Sequence, residues 1–573
     1  MPQSYLKNPS IERLSSLLED LHNGNLRIPP FQRDFEWKLD QRLALCESVR
    51  LGLPTGSLMV WRTQRPLRSE NPIGPYRLPE VPNGSSPQYL LDGRQRMTTL
   101  YAALAGAFWT RAGEIAPVPG HDVATAPDGS DWQIFYDLTN EKFISRRAFV
   151  GLDLEQALKC IPLDVLLDDG AYDDWRANHS LTREHTNQAR ALRSAFYDYS
   201  IPVVPLATDD IGVVTLTFKR INNGGTPMSD ADMARALAWS ENFDLRTHVD
   251  EARASLSALG WGQIDDDTLL KVVAAVGGLD ATETDPEELA KMIKASPDVV
   301  TVASARVSDA AGFLRERLGI AGPGSLPYAQ ILVFVARSYH EMNGAMLSDE
   351  QREEMAAWVA EACLDERFGG APPHMVRAFW RTLANRLGLP RAEAPRPRDG
   401  KPSVAKECWM FSMSWARSRG TALVLAAQKP RYADGNEMVD PASLIAQGSE
   451  NIGMLIAEGA AGLPDWVRQY LRALKGRSLA TALRSPANRV ICPPSQLPAL
   501  RGLMLNQLSM LLFFGDVGKS HLVSDEAGRA LGSRDLGGFF DARRRAILDA
   551  ERQWVAERGG TVDLRAEPRG YLD

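Results

Sequence analysis

Several features that would assign a protein to a membrane, secreted or metal-binding class are missing from this sequence. Only five cysteines occur in 573 residues and none forms a C-x-x-C pair, so neither a zinc site nor a disulfide framework is predicted. The strongest apolar run, ILVFVA at 331–336, is far shorter than the roughly 18 residues of a membrane-spanning helix. The opening stretch MPQSYLKNPS lacks the apolar centre of a signal peptide. We therefore expect a cytoplasmic protein with buried thiols.

An excess of positive charge is also missing. The formal net charge is −7 at pH 7, which argues against a surface that binds nucleic acid nonspecifically over its whole area. Any contact with nucleic acid must therefore be local. The hydrophobic content of 44% suits a globular protein, and the length predicts two or three domains.

Hydrophobic periodicity predicts an α+β fold. The stretch SIERLSSLLEDLHNGN, 10–25, predicts a helix with Ser10 as N-cap and a stop at Asn23 and Gly24, and a second helix is predicted at 39–50. Runs of branched and aromatic residues predict strands at 57–61, 133–137, 201–206 and 213–218. The sequence after about residue 240 is predominantly helical.

The domain boundaries follow from these patterns. We predict a first domain at 1–240, a helical domain at 241–390 and a second helical domain at 404–573, which ends in a strong helix at 539–557. The stretch RAEAPRPRDGKPS, 391–403, is predicted to be a linker, because its composition buries too little apolar surface to offset ordering.

The most informative stretch is YLLDGRQRMTTL, 89–100. It predicts a strand that ends at Asp92, a turn at Gly93 and a helix that begins close to Arg94. The N–H groups of a first helical turn favour an anion, and Arg94 and Arg96 would reinforce that preference. Asp92 could hold a divalent metal beside a phosphate. The alternative is that Asp92 caps the helix and the arginines are solvated.

Two further segments carry suitable chemistry. In IPPFQRDFEWK, 28–38, Gln32 and Arg33 lie among aromatic residues that suit a base or a phosphate, although a strand end packed on the core explains the pattern as well. In TLTFKRINNGGTPMSDADMARAL, 215–237, two cationic residues precede an N-N-G-G turn whose amides could surround a phosphate, a pattern that hairpins also use.

Together, these three segments resemble the N-terminal domain of GmrSD-type modification-dependent restriction proteins, a ParB/sulfiredoxin-like fold. That family's I-P-x-[FY]-Q-R-x-[FY]-x-W segment is matched at 28–37, and its F-x-R-x-N-x-G-G-x-x-[LM]-[ST] segment at 218–229. Its D-G-Q-Q-R segment is matched at 92–96, except that Arg94 stands where the family usually has glutamine. The resemblance covers about residues 10–240.

The resemblance implies a module that binds and hydrolyses a nucleoside triphosphate with Mg²⁺ in bacterial defence against phage. The implied catalytic residues are Asp92, Gln95 and Arg96, with Asp92 as the metal ligand. The residues expected to bind nucleotide or phosphate are Gly93, Arg220, Asn222, Gly224 and Gly225 from the resemblance, and Arg94 from its charge at the helix start. The residues implied to sense DNA or a modified base are Phe31, Gln32, Arg33 and Trp37.

The resemblance also implies a C-terminal HNH-type nuclease domain, which this chain carries only in degenerate form. No histidine occurs between His374 and His521, and SENIGMLIAEG, 449–459, stands where an H-H-I-F-P-like segment is expected. The stretch SPANRVICPPS, 485–495, resembles the asparagine-containing part, with Asn488 as a relic. HNH chemistry needs a general base and imidazole ligands, so we expect no intact HNH site.

Three functional hypotheses remain open. The first is a nucleoside triphosphatase that controls DNA recognition or a partner effector. The second is a module that binds DNA or a partner without hydrolysis, and the third is a DNA nuclease with a non-HNH site. The expected partners are a nucleoside triphosphate, DNA with or without modified bases, a separate nuclease or effector protein and a second copy of the chain, with no membrane.

Overall fold

The computed structural model describes two compact units, Met1–Asp244 and Leu245–Asp573. The described residues are 8–29, 32, 35–63, 72–78, 88–104, 132–210, 213–214, 216–217, 220, 230–238, 243–342, 347–389, 404–457, 459–473, 481, 483–505 and 516–566. A mixed sheet lies in the first unit and helices predominate in the second, which confirms the predicted α+β class. The ParB/sulfiredoxin-like assignment stays a prediction.

The first unit is built on strands that form two sheets and a short hairpin. The strands are β1 Ser10–Arg13, β2 Leu26–Arg27, β3 Leu58–Arg62, β4 Pro72–Ile73, β5 Tyr76–Arg77, β6 Gln88–Asp92, β7 Ile134–Asp137, β8 Lys142–Ser145, β9 Cys160–Pro162 and β10 Ser200–Ala207. The larger sheet has the order β1-β10-β3-β6-β2, and the smaller one has the order β8-β7-β9. In the larger sheet β6 runs antiparallel to β3 and parallel to β2. β4 and β5 form the hairpin.

Helices bury the apolar residues of this unit against the strands. They are α1 Leu14–His22, α2 Leu39–Arg50, α3 Arg94–Leu104, α4 Arg146–Val150, α5 Leu154–Ala157, α6 Asp169–Ala177, α7 Arg183–Tyr197 and α8 Asp230–Ala238. One buried cluster combines α1, α2, α3 and α7 with β3 and β6. Leu100 and Leu104 of α3 are fully buried in it, which fixes the direction of the helix that follows Asp92.

Two local predictions are wrong. Ser10 does not cap the first helix, because 10–13 form β1 against β10 and α1 begins at Leu14. The range 213–218 is not a strand, because its described residues are helical. There the Asp210 side chain accepts a hydrogen bond from Val213 N, and Asp210 O accepts one from Val214 N. This cap outweighs the strand preference of the valines.

The second unit is predominantly helical. Its helices are α9 Leu245–Leu256, α10 Asp266–Val276, α11 Pro286–Ala295, α12 Val299–Leu318, α13 Ala329–Glu341, α14 Asp349–Leu364, α15 Pro373–Arg386, α16 Ala416–Ala427, α17 Pro441–Gln447, α18 Asp465–Ala473, α19 Leu497–Leu505, α20 Asp525–Gly532 and α21 Leu536–Ala556. Its strands are β11 Val404–Lys406, β12 Ile452–Met454, β13 Arg489–Ile491 and β14 Asp563–Arg565. They pair as β11 with β14 and β12 with β13. None of the described helices is long and apolar enough to cross a membrane.

Polar contacts hold the second unit together across the predicted linker. Arg419 Nη1 donates to Leu326 O at 2.9 Å, and Arg558 Nε donates to Arg317 O at 2.9 Å. On the C-terminal side of the linker, Arg417 of α16 and Glu551 of α21 form a buried bidentate ion pair, with N–O distances of 2.8 and 2.6 Å. Residues 390–403 lie outside the described residues, so the linker and the division of this region into two domains stay predictions.

Candidate functional site

The candidate site is the sharp turn between β6 and α3. β6 ends at Asp92 and α3 begins at Arg94, as the sequence predicts. Gly93 has φ of +102°, and a Cβ atom there would lie 2.2 Å from Leu58 Cδ2. Gly93 O accepts a hydrogen bond from Met97 N at 2.9 Å. Only glycine therefore fits this turn, which places the Asp92 carboxylate beside the first turn of a helix.

The Arg96 guanidinium is held between a carboxylate and a loop. Arg96 Nη2 lies 3.2 Å from Asp92 Oδ2. Arg96 also donates to the backbone oxygens of Thr55 at 2.7 Å and Ser57 at 2.9 Å. Gly56 lies between these two residues with φ of +90°, and a Cβ atom on it would lie 2.9 Å from Arg96 Nη1. Arg96 therefore fixes the loop at 55–57 in a conformation that requires glycine at its centre.

The same helical turn also binds the first sequence motif. Gln95 Oε1 accepts hydrogen bonds from the backbone N–H groups of Glu36 at 3.0 Å and Trp37 at 3.3 Å. Arg94 Nη1 donates to Gln32 O at 2.8 Å. The structure thus brings the segments 28–37 and 92–96 into direct contact, although they are some sixty residues apart in sequence.

Two of the predicted base-sensing residues lie beside this contact. Gln32 is only 6% exposed, and its side-chain amide donates to Leu90 O of β6. Trp37 is half-buried against a small cluster of Phe35, Ala102 and Trp132. Gln32 and Trp37 therefore serve the packing of the first unit in this conformation. The other two predicted residues, Phe31 and Arg33, lie outside the described residues.

The third sequence motif is described at only one predicted position. Arg220 is exposed and helical. The remaining predicted phosphate-binding residues of that motif, Asn222, Gly224 and Gly225, lie outside the described residues. Whether this motif joins the turn at Asp92 therefore stays a prediction.

The Asp92 carboxylate is the group in the site that suits a cation. Its side chain is 34% exposed and Oδ2 faces Arg96, whereas Oδ1 has no hydrogen-bond partner among the described residues. No group of three His, Cys, Asp or Glu residues that could hold a metal occurs in that part of the chain. One open carboxylate suits Mg²⁺, which usually keeps several waters and binds one or two carboxylates together with substrate phosphates.

Sequence reasoning missed the loop at 55–57. The Pro/Gly pattern around Gly52 and Gly56 predicts a turn but no partner for it. In the structure Tyr199 OH contacts the same loop, donating to Leu53 O at 2.7 Å and lying 3.0 Å from Thr55 Oγ1. The sequence offered only Gly52 and Gly56 in the short loop between α2 and β3 as a signal. Glycines in short loops are too common to indicate a site.

The residues compared with an HNH site are used internally in the second unit. Asn488 is fully buried, and its amide exchanges hydrogen bonds with Ile456 N and O, each at 2.8 Å. His521 Nε2 donates to Arg431 O at 2.9 Å, and burial lowers the pKa of His521 to about 4. The stretches 449–459 and 485–495 meet as the pair β12 and β13. A degenerate HNH origin stays a prediction.

The first unit is thus an α+β domain with a charged strand–turn–helix site, in which an acidic residue, a glycine turn and two arginines follow one another. Residues 14–239 match the family model described as GmrSD restriction endonuclease, N-terminal domain. These residues therefore form a GmrSD-type N-terminal domain. A comparison with curated proteins finds no match.

Proposed function

We propose that the first unit binds a nucleoside triphosphate at the turn between β6 and α3 and hydrolyses it. The nucleotide state would then control the recognition of DNA or of a partner effector. The observation that supports this most is Asp92 Oδ1, which has no hydrogen-bond partner among the described residues and lies beside the start of an 11-residue helix with Arg94 and Arg96 in its first turn. A helix start favours an anion, and nearby guanidinium groups suit phosphate oxygens.

The hydrogen bonds of the turn provide a physical route for control. Arg96 holds the loop at 55–57, Gln95 holds the backbone at 36–37, and Arg94 holds the backbone of Gln32. A phosphate that binds Arg94 or Arg96 would compete with the hydrogen bonds that these arginines donate to the backbone. A cation that binds Asp92 would weaken the ion pair between Asp92 and Arg96. Because 28–37 is the segment expected to sense DNA, the nucleotide and the DNA would act on one network.

Asp92 would hold a nucleotide-bound Mg²⁺ through Oδ1, and the ion would neutralise developing charge on the phosphates. Asp92 would keep Arg96 oriented through Oδ2, at the observed distance of 3.2 Å. Gln95 and Arg94 would keep the segment at 28–37 in place beside the site.

The test is nucleotide turnover by the full chain with Mg²⁺, with and without phage DNA. Asp92→Asn keeps the size of the side chain and removes its charge, so turnover should fall to background. Asp173→Asn is a matched control, because Asp173 is 66% exposed on α6, and it should turn over nucleotide like the wild type. The proposal fails if the folded wild type neither binds nor hydrolyses any nucleoside triphosphate.

One observation favours a second candidate, a module that binds DNA or a partner without hydrolysis. Gln95 and Arg96 are both engaged with backbone groups of their own unit, which is a structural use of residues expected to be catalytic. This candidate predicts salt-dependent DNA binding that weakens in Arg33→Ala, with no turnover. Arg176→Ala on α6 is the control, since its side chain is 41% exposed. Turnover that is lost in Asp92→Asn would exclude this candidate.

A further inference from the structure

The second unit presents an aromatic segment with two exposed apolar side chains, WMFSMSW at 409–415, which we call the tryptophan loop. Trp415 is 48% exposed and is the most exposed tryptophan among the described residues, and Met410 is 38% exposed. Large apolar side chains grouped on a surface mark a binding site more often than scattered ones do. The remaining aromatic residues of the loop, Trp409 and Phe411, are half-buried and buried.

Hydrogen bonds hold the tryptophan loop over the start of α16. Ser418 Oγ accepts from Ser412 N at 3.1 Å and donates to Met410 O at 3.4 Å. Arg419 Nε donates to Met413 O at 2.7 Å. The exposed side chains are therefore presented by a backbone fixed at several points, and such preorganisation reduces the entropy lost on binding.

The two chain segments that form the loop and its neighbour, 404–424 and 481–492, carry more cationic than acidic residues. Phe411 N donates to Arg484 O at 2.7 Å, which places the segment 481–492 beside the loop. The guanidinium of Arg489 lies 5.6 Å from the Phe411 ring. No acidic residue occurs in 481–492, and Glu407 is the only one in 404–424. Glu407 is 7% exposed and lies 3.5 Å from Arg544 Nε.

Exposed cations complete this surface. Lys406 precedes the loop and Arg484 lies opposite it, and both are exposed. Trp415 itself stands at the N-cap of α16, where its side chain makes no capping hydrogen bond and no acid lies in the first turn. In a chain with a net charge of −7 this local combination favours a polyanion over a basic or neutral surface.

We propose that the tryptophan loop binds single-stranded nucleic acid, with a base stacked on Trp415 and phosphates near Lys406 and Arg484. Stacking of bases on exposed aromatic side chains beside cations is the common mode of single-strand recognition. A duplex hides the faces of its bases, so a tryptophan that offers a flat face selects the single strand. The proposal concerns the second unit and does not depend on nucleotide binding at Asp92.

The test is fluorescence anisotropy of a labelled oligo-dT strand with the full chain at low salt, beside a duplex of equal length. Trp415→Ala should weaken single-strand binding by about tenfold, whereas Trp415→Phe should retain most of it. Arg484→Glu should weaken it several-fold and reduce its dependence on salt. Duplex affinity should change little in the tryptophan variants.

Matched controls exist in the same unit. Met375→Ala on α15 removes an apolar side chain that is 42% exposed, and Arg468→Glu on α18 reverses a charge that is 50% exposed. Both controls should bind the strand like the wild type. Equal affinity of the wild type and Trp415→Ala would overturn the proposal, and so would weakening confined to the duplex. If the wild type does not bind oligo-dT, and if self-association is lost in Trp415→Ala, the loop binds a protein partner instead and the proposal is overturned.

The outcome is separable from that of the proposed function. Trp415→Ala leaves Asp92 and its turn untouched, so nucleotide turnover should remain at the wild-type rate. In the Asp92→Asn background and without nucleotide, the loss of oligo-dT affinity caused by Trp415→Ala should keep the same size. Either proposal can thus fail while the other holds.

Discussion

Replacing Arg96 by methionine should release the loop at 55–57 while preserving most of the volume of the side chain. The substitution removes the donors to Thr55 O and Ser57 O, at 2.7 and 2.9 Å, and the ion pair with Asp92 at 3.2 Å. The hydrogen bonds of Gln95 and Arg94 are not changed directly. The variant therefore isolates the part of the network that reaches the loop.

The size of the effect follows from the exposure of these groups. Thr55 is half-buried and Ser57 is exposed, so water can replace part of each lost bond and each contributes only about 1 kcal/mol. The ion pair adds less than about 1 kcal/mol, because the Asp92 side chain is 34% exposed. The free energy of unfolding of the first unit should fall by about 2–3 kcal/mol. For a unit of this size that lowers its melting temperature by about 5–10 °C.

Thermal unfolding and amide hydrogen exchange check this prediction. In Arg96→Met the amides of Leu51, Gly52 and Leu53, which donate to backbone oxygens at the end of α2, should lose protection, while those of α3 keep most of theirs. Arg176→Met is the control, because its ion pair with Asp173 is 3.4 Å long and exposed, so it should change stability by less than about 0.5 kcal/mol. If Arg96→Met melts like the wild type and the amides of Leu51, Gly52 and Leu53 keep their protection, Arg96 does not fix the loop and the coupling argument fails.

Other substitutions test the remaining structural claims. Gly93→Ala should destabilise the first unit by at least about 2 kcal/mol in denaturant unfolding, since its Cβ would collide with Leu58 Cδ2 at 2.2 Å. Glu551→Ala should cost about 3–5 kcal/mol by the same measurement, because it leaves the buried Arg417 unpaired, and Arg417→Met/Glu551→Leu should recover part of this loss. Burial lowers the pKa of His521 to about 4, so the folded state resists a proton that the unfolded state accepts near pH 6.5. Stability should therefore fall by up to about 3 kcal/mol as the pH decreases from about 6.5 to 4, and His521→Gln should remove this part of the pH dependence.

Sequence patterns located the central elements of the first unit well where periodicity and turn chemistry agree. The helix predicted at 39–50 has those bounds, and α3 begins at Arg94 because the apolar face of Met97, Leu100 and Leu104 requires it. The strand predicted at 201–206 is β10, one residue longer at each end. In contrast, 213–218 has strong strand formers but follows Asp210, whose cap starts a helix. Local propensity and a cap conflict there, and the cap prevails.

The candidate site was only partly predictable for a different reason. The segments at 28–37 and 92–96 were expected to share a pocket, and they are in contact. The sequence could not indicate that the guanidinium groups of Arg94 and Arg96 donate to backbone oxygens at 32, 55 and 57. An arginine that binds phosphate and one that fixes a loop look alike in a sequence, because both need only a cationic donor beside a turn.

The hydrogen bonds that Arg96 donates to the loop at 55–57 lower the affinity for any nucleotide whose phosphate must bind Arg96. A phosphate that takes this guanidinium must replace the bonds to the loop, so an opening free energy of about 2 kcal/mol would weaken the apparent affinity about thirtyfold. A second ligand whose binding already breaks these hydrogen bonds removes this penalty. By reciprocity, the bound nucleotide then increases the affinity for that ligand by the same factor. DNA bound at 28–37 can be such a ligand, since Gln95 and Arg94 hold that segment from the turn that contains Arg96. A nucleotide held by Asp92 alone, without displacement of Arg96, would instead leave the DNA affinity unchanged. Measuring whether nucleotide and DNA each increase the affinity for the other therefore identifies which groups the nucleotide contacts.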